Sequence, residues 1–341
     1  MRYRLLGRTG LRVSELFFGA MTFYERGDAV REYEAMLRAY ADAGGNVVDT
    51  ASAYGDSEDI LGELLSGQRD RFVLATKYTL SRDGEDPNAA GNHRKNLRLS
   101  LERSLRRLRT DYLDLYWVHL WDRHTPVEET MRALDDAVRA GKILYVGISD
   151  APAWVVSHAD TLADWRGWTP FAGVQVPYNL LKRDAERELL PMAEALGLTL
   201  AAWGPLAGGV LSGKFTDRER VPAGTRVDPG SLSPRDHEVA RAVGEVAGGL
   251  GATPAQVAIA WTRARSAAVH PIVGASGVGQ LTENLRAVDV DLPEEAVRQL
   301  EAATGFEVGF PGDFIAQCEE PPGAFGAASA RVIGRAPGRR P

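Results

Sequence analysis

The feature that most constrains this chain is an alternation: short apolar runs rich in Val, Ile, Leu and aromatics, each followed by a charged segment with helical spacing. A strand that is apolar throughout, joined to an amphipathic helix, is the unit of a parallel sheet covered by helices. Strands are predicted at 16–22 (LFFGAMT), 46–50, 72–77 (FVLATK), 112–120, 143–149, 173–178, 198–204 and 269–274. Helices are predicted at 29–44, 92–108, 127–141 and 184–197, several of them stopping at glycine.

Strand ends recur regularly, at Asp49, Lys77, His119, Ser149, Gln175 and Trp203, with steps of 28, 42, 30, 26 and 28 residues. Each step has room for one strand, one helix and two short loops. From Trp203 to Gly274 the step is 71 residues, so a long insertion follows strand seven, Gly/Pro-rich over 206–234 and then helical near 235–249. Eight such units favour a closed (β/α)8 TIM barrel, with a doubly wound open sheet as the alternative. The opening RYRLLGRTGLRVS reads as a small β-hairpin ahead of strand one. Residues 1–303 are expected to form a single barrel, and 304–341 a Gly/Pro/Ala/Arg-rich C-terminal loop and tail.

Composition narrows the functional classes. At 44% hydrophobic and 25% charged over 341 residues, the chain can bury a large core. Forty Lys and Arg against 46 Asp and Glu leave a net charge of −6, which gives no electrostatic hold on nucleic acid. Its single cysteine, Cys318, excludes an intramolecular disulfide and a cysteine-based zinc site, which makes a cytoplasmic location the economical expectation. The N-terminus lacks a signal-peptide apolar region and no long apolar run is present, so no membrane partnership is expected. Oligomeric state is not legible.

In a barrel, the C-terminal strand ends share one mouth, where chemistry is found. Asp49 ends strand two, Tyr54 lies in the following loop, Lys77 ends strand three and His119 stands near the end of strand four. A lysine there needs a partner for its charge, and Asp49 on the neighbouring strand is the candidate. A phenol is a poor acid near neutrality unless a cation stabilises its phenolate, which Lys77 is placed to do. A histidine opposite can donate to a carbonyl oxygen. The set suits protonation of an oxygen during reduction, and because these groups supply no electrons a hydride-carrying cofactor is implied.

Seven segments, NVVDTASAYGDSEDILGELL (46–65), LATK (74–77), DLYWVHLWD (114–122), GISD (147–150), VQVPYNLLKR (174–183), AWGPLAGGVLSGK (202–214) and PIVGASGVGQLTEN (271–284), resemble the aldo-keto reductases in identity and order. The resemblance implies a (β/α)8 barrel and NAD(P)H-dependent reduction of an aldehyde or ketone. It makes Asp49, Tyr54, Lys77 and His119 the catalytic tetrad, with Tyr54 as general acid. It also places Ser149, Asp150 and Gln175 at the nicotinamide carboxamide, Trp203 at the nicotinamide ring, and Met21 and Asp49 beside the cofactor. Gly204, Pro205, Leu206, Ala207 and Gly208 would wrap the pyrophosphate. Lys214, Ser276, Gln280, Glu283 and Asn284 would hold the adenosine end, with Gly274 leaving room for it. Two departures stand out. Asp150 replaces the Asn of many relatives and loses a donor, and Gln280 stands where many carry Arg, so a preference for NADP over NAD rests on Lys214 and Ser276, with Arg226.

GGVLSGK (208–214) fits phosphate-loop spacing, but Phe215 replaces the Mg²⁺-binding hydroxyl. No GxGxxG follows a strand. His119, Asp122 and His124 would have to serve a metal-dependent hydrolase, yet a catalytic zinc needs three protein ligands and an open position; no metal is expected. The GAS…QL…EN and SGK segments also resemble potassium-channel beta subunits, which makes a cofactor-binding regulatory subunit a further alternative. Phe23, Tyr24, Trp121 and residues near Phe310 are expected to line an apolar substrate pocket.

Overall fold

The computed structural model describes residues 1–215, 226–319, 323, 326 and 331. An antiparallel hairpin, β1 (Tyr3–Leu5) and β2 (Arg12–Ser14), precedes β3 (Phe17–Gly19) and α1 (Ala29–Asp42). Then come β4 (Val47–Asp49), α2 (Ser57–Leu64), β5 (Val73–Tyr78), α3 (Arg94–Arg107), β6 (Leu113–Val118) and α4 (Val127–Arg139). The chain continues through β7 (Ile143–Ser149), α5 (Ala153–Arg166), β8 (Phe171–Pro177), α6 (Leu189–Leu196) and β9 (Thr199–Trp203). After the insertion and α7 (Pro234–Leu250) come α8 (Pro254–Ala264), β10 (Val269–Val273), α9 (Val278–Leu285), α10 (Glu294–Thr304) and α11 (Gly312–Glu319). Strands β3 to β10 close into a parallel barrel, β10 pairing with both β3 and β9. The (β/α)8 expectation therefore holds and the open sheet is excluded.

Two apolar layers hold the barrel. The larger lies between strands and helices, where an amphipathic helix such as α4 buries Met131 and Leu134. The smaller fills the barrel itself, with Phe17, Val47, Val73, Leu115, Trp117 and Ile272 among its members. Leu6 and Val13 of the hairpin belong to this inner layer and are fully buried, so the hairpin plugs the N-terminal end. Its turn needs Gly7, at φ +53°, because a Cβ there would sit 2.2 Å from the Ala172 carbonyl oxygen. Gly147 makes room for Trp117, whose ring a Cβ would meet at 2.3 Å.

Strand alternation then positions the site. Val47, Val73, Ala75, Leu115 and Trp117 face inward, so with a side-chain period of two Asp49 and Lys77 point to the same interior one step nearer the mouth. Ser149 is the register partner of Gln175, as Pro177 is of Trp203.

Two stretches differ from expectation. The helix expected at 184–197 starts at Leu189, because Asp184–Glu186 form a 3-10 turn in which the Arg183 guanidinium grips the Glu186 carboxylate at 2.8 Å. The segment read as a C-terminal loop contains α11, anchored through its preceding residues by Arg187 donating to the Val308 and Glu307 carbonyls, both at 3.1 Å. The rest of the expected tail lies mostly outside the described residues. The insertion after strand seven is present, with α7 opened by a Ser233/Asp236 capping box and Pro234 in its first turn.

Candidate active site

Lys77 is 1% exposed, and its ammonium donates to Asp49 Oδ2 at 2.5 Å, to the Thr50 carbonyl at 2.8 Å and to the Tyr54 hydroxyl oxygen at 3.4 Å. The pairing read from the strand ends is therefore present, completed by a backbone acceptor that side-chain reasoning could not supply. Asp49 takes a further bond at 3.1 Å from the Gln175 amide. The sequence places Gln175 near the mouth, but not as a partner of Asp49. Burial alone pulls the Lys77 ammonium down; Asp49 and Tyr54 more than reverse this, leaving it above the ordinary lysine value and charged.

Tyr54 is held by the tight turn after β4, where its amide donates to the Ala51 carbonyl at 3.0 Å. Its ring stands edge-on to His119, with centroids 5.8 Å apart and planes at 84°. Lys77 does act on the phenol in the expected direction, but it does not set the net one. Burial raises the phenol's pKa, Lys77 opposes, Asp49 and Asp150 add to the rise, and the net direction is upward. Desolvation of a phenolate outweighs one nearby ammonium whose charge is shared with Asp49.

His119 is pulled down to about 4 by burial and by the Lys77 charge, so its ring is neutral at pH 7. Nδ1 is buried with no hydrogen-bond partner among the described residues. A buried donor without an acceptor costs more than an idle lone pair, so the proton belongs on Nε2.

Around this centre, the Trp203 indole N–H donates to Asp150 Oδ1 at 3.2 Å. Asp150 has a left-handed backbone, φ 46°, and its carboxyl is raised by burial despite Trp203 and Lys77. Ser149 is buried, while Met21 and Trp203 are exposed, the latter at 39%. Gly204, Ala207 and Gly208 all have positive φ, at 67°, 49° and 69°, in an irregular turn that also contains Pro205 and Leu206. The GGVLSGK segment lies in this turn rather than opening a helix after a strand.

Beyond β10, Gly274 leads to Ser276, whose amide and hydroxyl both donate to Gln280 Oε1 at 2.9 Å. Asn284 is 1% exposed, yet neither its Oδ1 nor its Nδ2 has a partner among the described residues. Glu283 is exposed, and Lys214 and Arg226, also exposed, flank residues outside the described set. Asp122 accepts from the Asn92 and His124 amides and the Thr125 hydroxyl. Among the described residues no group of three His, Cys, Asp or Glu is arranged to hold a metal, and no helix is long and apolar enough to cross a membrane. Phe23 is corrected from pocket wall to core. It is fully buried and stacked on Tyr33 at 4.1 Å, whereas Tyr24 and Phe310 are exposed.

The parallel eight-stranded barrel gathers at its mouth a phenol, an ammonium–carboxylate pair and a neutral imidazole, an arrangement suited to proton donation during carbonyl reduction. The aldo/keto reductase family model matches residues 15–304, and the chain belongs to that family. It is 41% identical over 321 residues to norsolorinic acid reductase stcV of Emericella nidulans, covering 90% of this chain and 82% of that protein. It is 38% identical over 295 residues to the probable aryl-alcohol dehydrogenase AAD4 of Saccharomyces cerevisiae, covering 82% and 90% respectively. Against aryl-alcohol dehydrogenase (NADP(+)) of Phanerodontia chrysosporium it is 36% identical over 328 residues, covering 89% and 85%. The protein is an oxidoreductase with a small-molecule substrate.

Proposed function

We propose that this chain reduces an aromatic or otherwise apolar aldehyde or ketone to the alcohol with NADPH, with Tyr54 as the proton donor. The observation that carries this is the Asp49–Lys77–Tyr54 chain of contacts beside a neutral His119. When bound, the nicotinamide supplies a hydride, two electrons with one hydrogen nucleus, and is left as a cationic ring. His119 donates from Nε2 to the carbonyl oxygen, orienting it and stabilising the charge that develops there. Tyr54 gives that oxygen its proton, and Lys77 stabilises the phenolate left behind. A phenol held above its ordinary pKa stays protonated until the oxygen becomes basic. Lys77 and Asp49 bear opposite charges in contact, so the pair keeps its position without placing net charge on the site.

The residues fit a dinucleotide. Asn284 has an unpartnered, buried carboxamide, suited to the donor and acceptor edge of an adenine. The left-handed turn at Gly204–Gly208 suits backbone contact with a pyrophosphate. Ser149, Asp150 and Gln175 would meet the carboxamide, Met21 and Trp203 the ring, and Gly274, Ser276, Gln280 and Glu283 the adenosine. NADP over NAD is supported by exposed Lys214 and Arg226 with Ser276, and by the cofactor in the name of the Phanerodontia relative. For the substrate, the two relatives with aryl-alcohol names and the aromatic side chains of Tyr24 and Trp121 favour an aryl carbonyl.

The test is Tyr54→Phe, followed by loss of NADPH absorbance over a panel of aryl aldehydes. Turnover should fall about 10²- to 10⁴-fold with NADPH affinity within about twofold of wild type. Near-normal turnover would remove Tyr54 from the acid role.

A further inference from the structure

Asp49 has its charge matched by Lys77 at 2.5 Å, but Asp150, at the same mouth, forms no ion pair among the described residues. Its carboxylate is held instead by the Trp203 indole N–H at 3.2 Å, in a left-handed conformation that Asp and Asn tolerate better than most residues. The indole is partly exposed at the mouth end of β9. An indole face already attracts cations, and donation of its N–H to a carboxylate makes the ring more electron-rich. The pair thus offers one carboxylate that feels Lys77 and Lys182 only from beyond ion-pair distance and one electron-rich face on the same side of the mouth.

We propose that Asp150 and Trp203 together discriminate between the oxidation states of the dinucleotide, holding the cationic oxidised ring more tightly than the neutral reduced one. This rests on the nicotinamide site proposed above. A neutral Asn at position 150 would keep the shape and remove the charge. By the thermodynamic cycle, the preference for the oxidised form equals the shift in the bound couple. Asp150 therefore makes the bound reduced form a stronger hydride donor, favouring carbonyl reduction within the complex. A bound dinucleotide would supply two electrons and one hydrogen nucleus to the carbonyl carbon; Tyr54 would give the oxygen its proton, and the Asp150 carboxylate would offset the positive charge that the ring acquires. Trp203 acts as a positioning residue by fixing that carboxylate.

The test is calorimetric titration of wild type, Asp150→Asn and Trp203→Phe with NADP+ and with NADPH separately, without carbonyl substrate. In Asp150→Asn, NADP+ should weaken about tenfold relative to NADPH, the size expected for one charge at several ångströms in a partly hydrated mouth. Trp203→Phe keeps a ring and removes the N–H; it should move the ratio the same way by a smaller factor. Equal weakening of both dinucleotides in Asp150→Asn, or an unchanged ratio, would overturn the inference and leave the proposed activity standing. A wild type that binds neither dinucleotide would overturn both.

Discussion

Replacing Asp49 by Asn removes one charge and almost no volume, yet leaves Lys77 buried with a carboxamide nitrogen available to face its ammonium. In the intact protein that ammonium is 1% exposed and bonded to Asp49, the Thr50 carbonyl and Tyr54. Removing one partner of a buried pair costs about 3–5 kcal/mol, because the remaining charge keeps its desolvation penalty and loses its compensation. The effect has a sign in pH. With Asp49 present the folded Lys77 pKa is raised, so its stabilisation is complete below the unfolded value of about 10.4 and is lost as pH rises through the folded pKa. In the variant, burial dominates and the folded pKa drops below the unfolded one. The unfolded chain then binds more protons over the interval between them, and stability rises with pH there. Urea unfolding of both proteins at several pH values between 7 and 10 should therefore show a deficit of about 3–5 kcal/mol at pH 7 that narrows toward pH 10. A deficit below about 1 kcal/mol at pH 7, or one independent of pH, would refute the picture of a buried charge held by Asp49.

Lys214→Ala should weaken NADPH far more than NADH in direct titration; equal losses would end the 2′-phosphate assignment. His270 is buried, its ring Nδ1 3.1 Å from the Ser14 carbonyl oxygen, and like His119 it is depressed to about 4 by burial. Both contribute stability that is present above their unfolded pKa of about 6.5 and lost as pH falls through about 4. His270→Gln should reduce the slope of urea stability over that window, and an unchanged slope would show that His270 does not titrate as a buried neutral ring.

The barrel was legible because the apolar runs and the helical segments repeat at a spacing close to one βα unit. The strand boundaries shifted by only a residue or two in most places, as expected where burial on both faces, rather than the exact terminal residue, defines a strand. Phe23 shows where such reading stops. Its neighbours in sequence sit at the mouth, but it turns inward onto Phe18 and Tyr33, a choice made by packing and not by sequence position. The helix at Gly312–Glu319 was missed for the converse reason: its short span, with exposed Phe314 and Ile315, carries little amphipathic pattern. Within the site, Asp49, Lys77 and His119 could be named from strand ends and Tyr54 from the loop that follows Asp49. The Gln175–Asp49 bond could not, since 126 residues separate the two.

Sequence alone determined that strands and helices alternate, and therefore which ionisable side chains end neighbouring strands. Periodicity and composition are local properties that survive without coordinates. Only the tertiary structure decided that Tyr54 stays a protonated phenol, that His119 is neutral and that Asp150 is tied to Trp203. Those states depend on how much water each group loses and which distant atom replaces it, and closure of the barrel sets both at once.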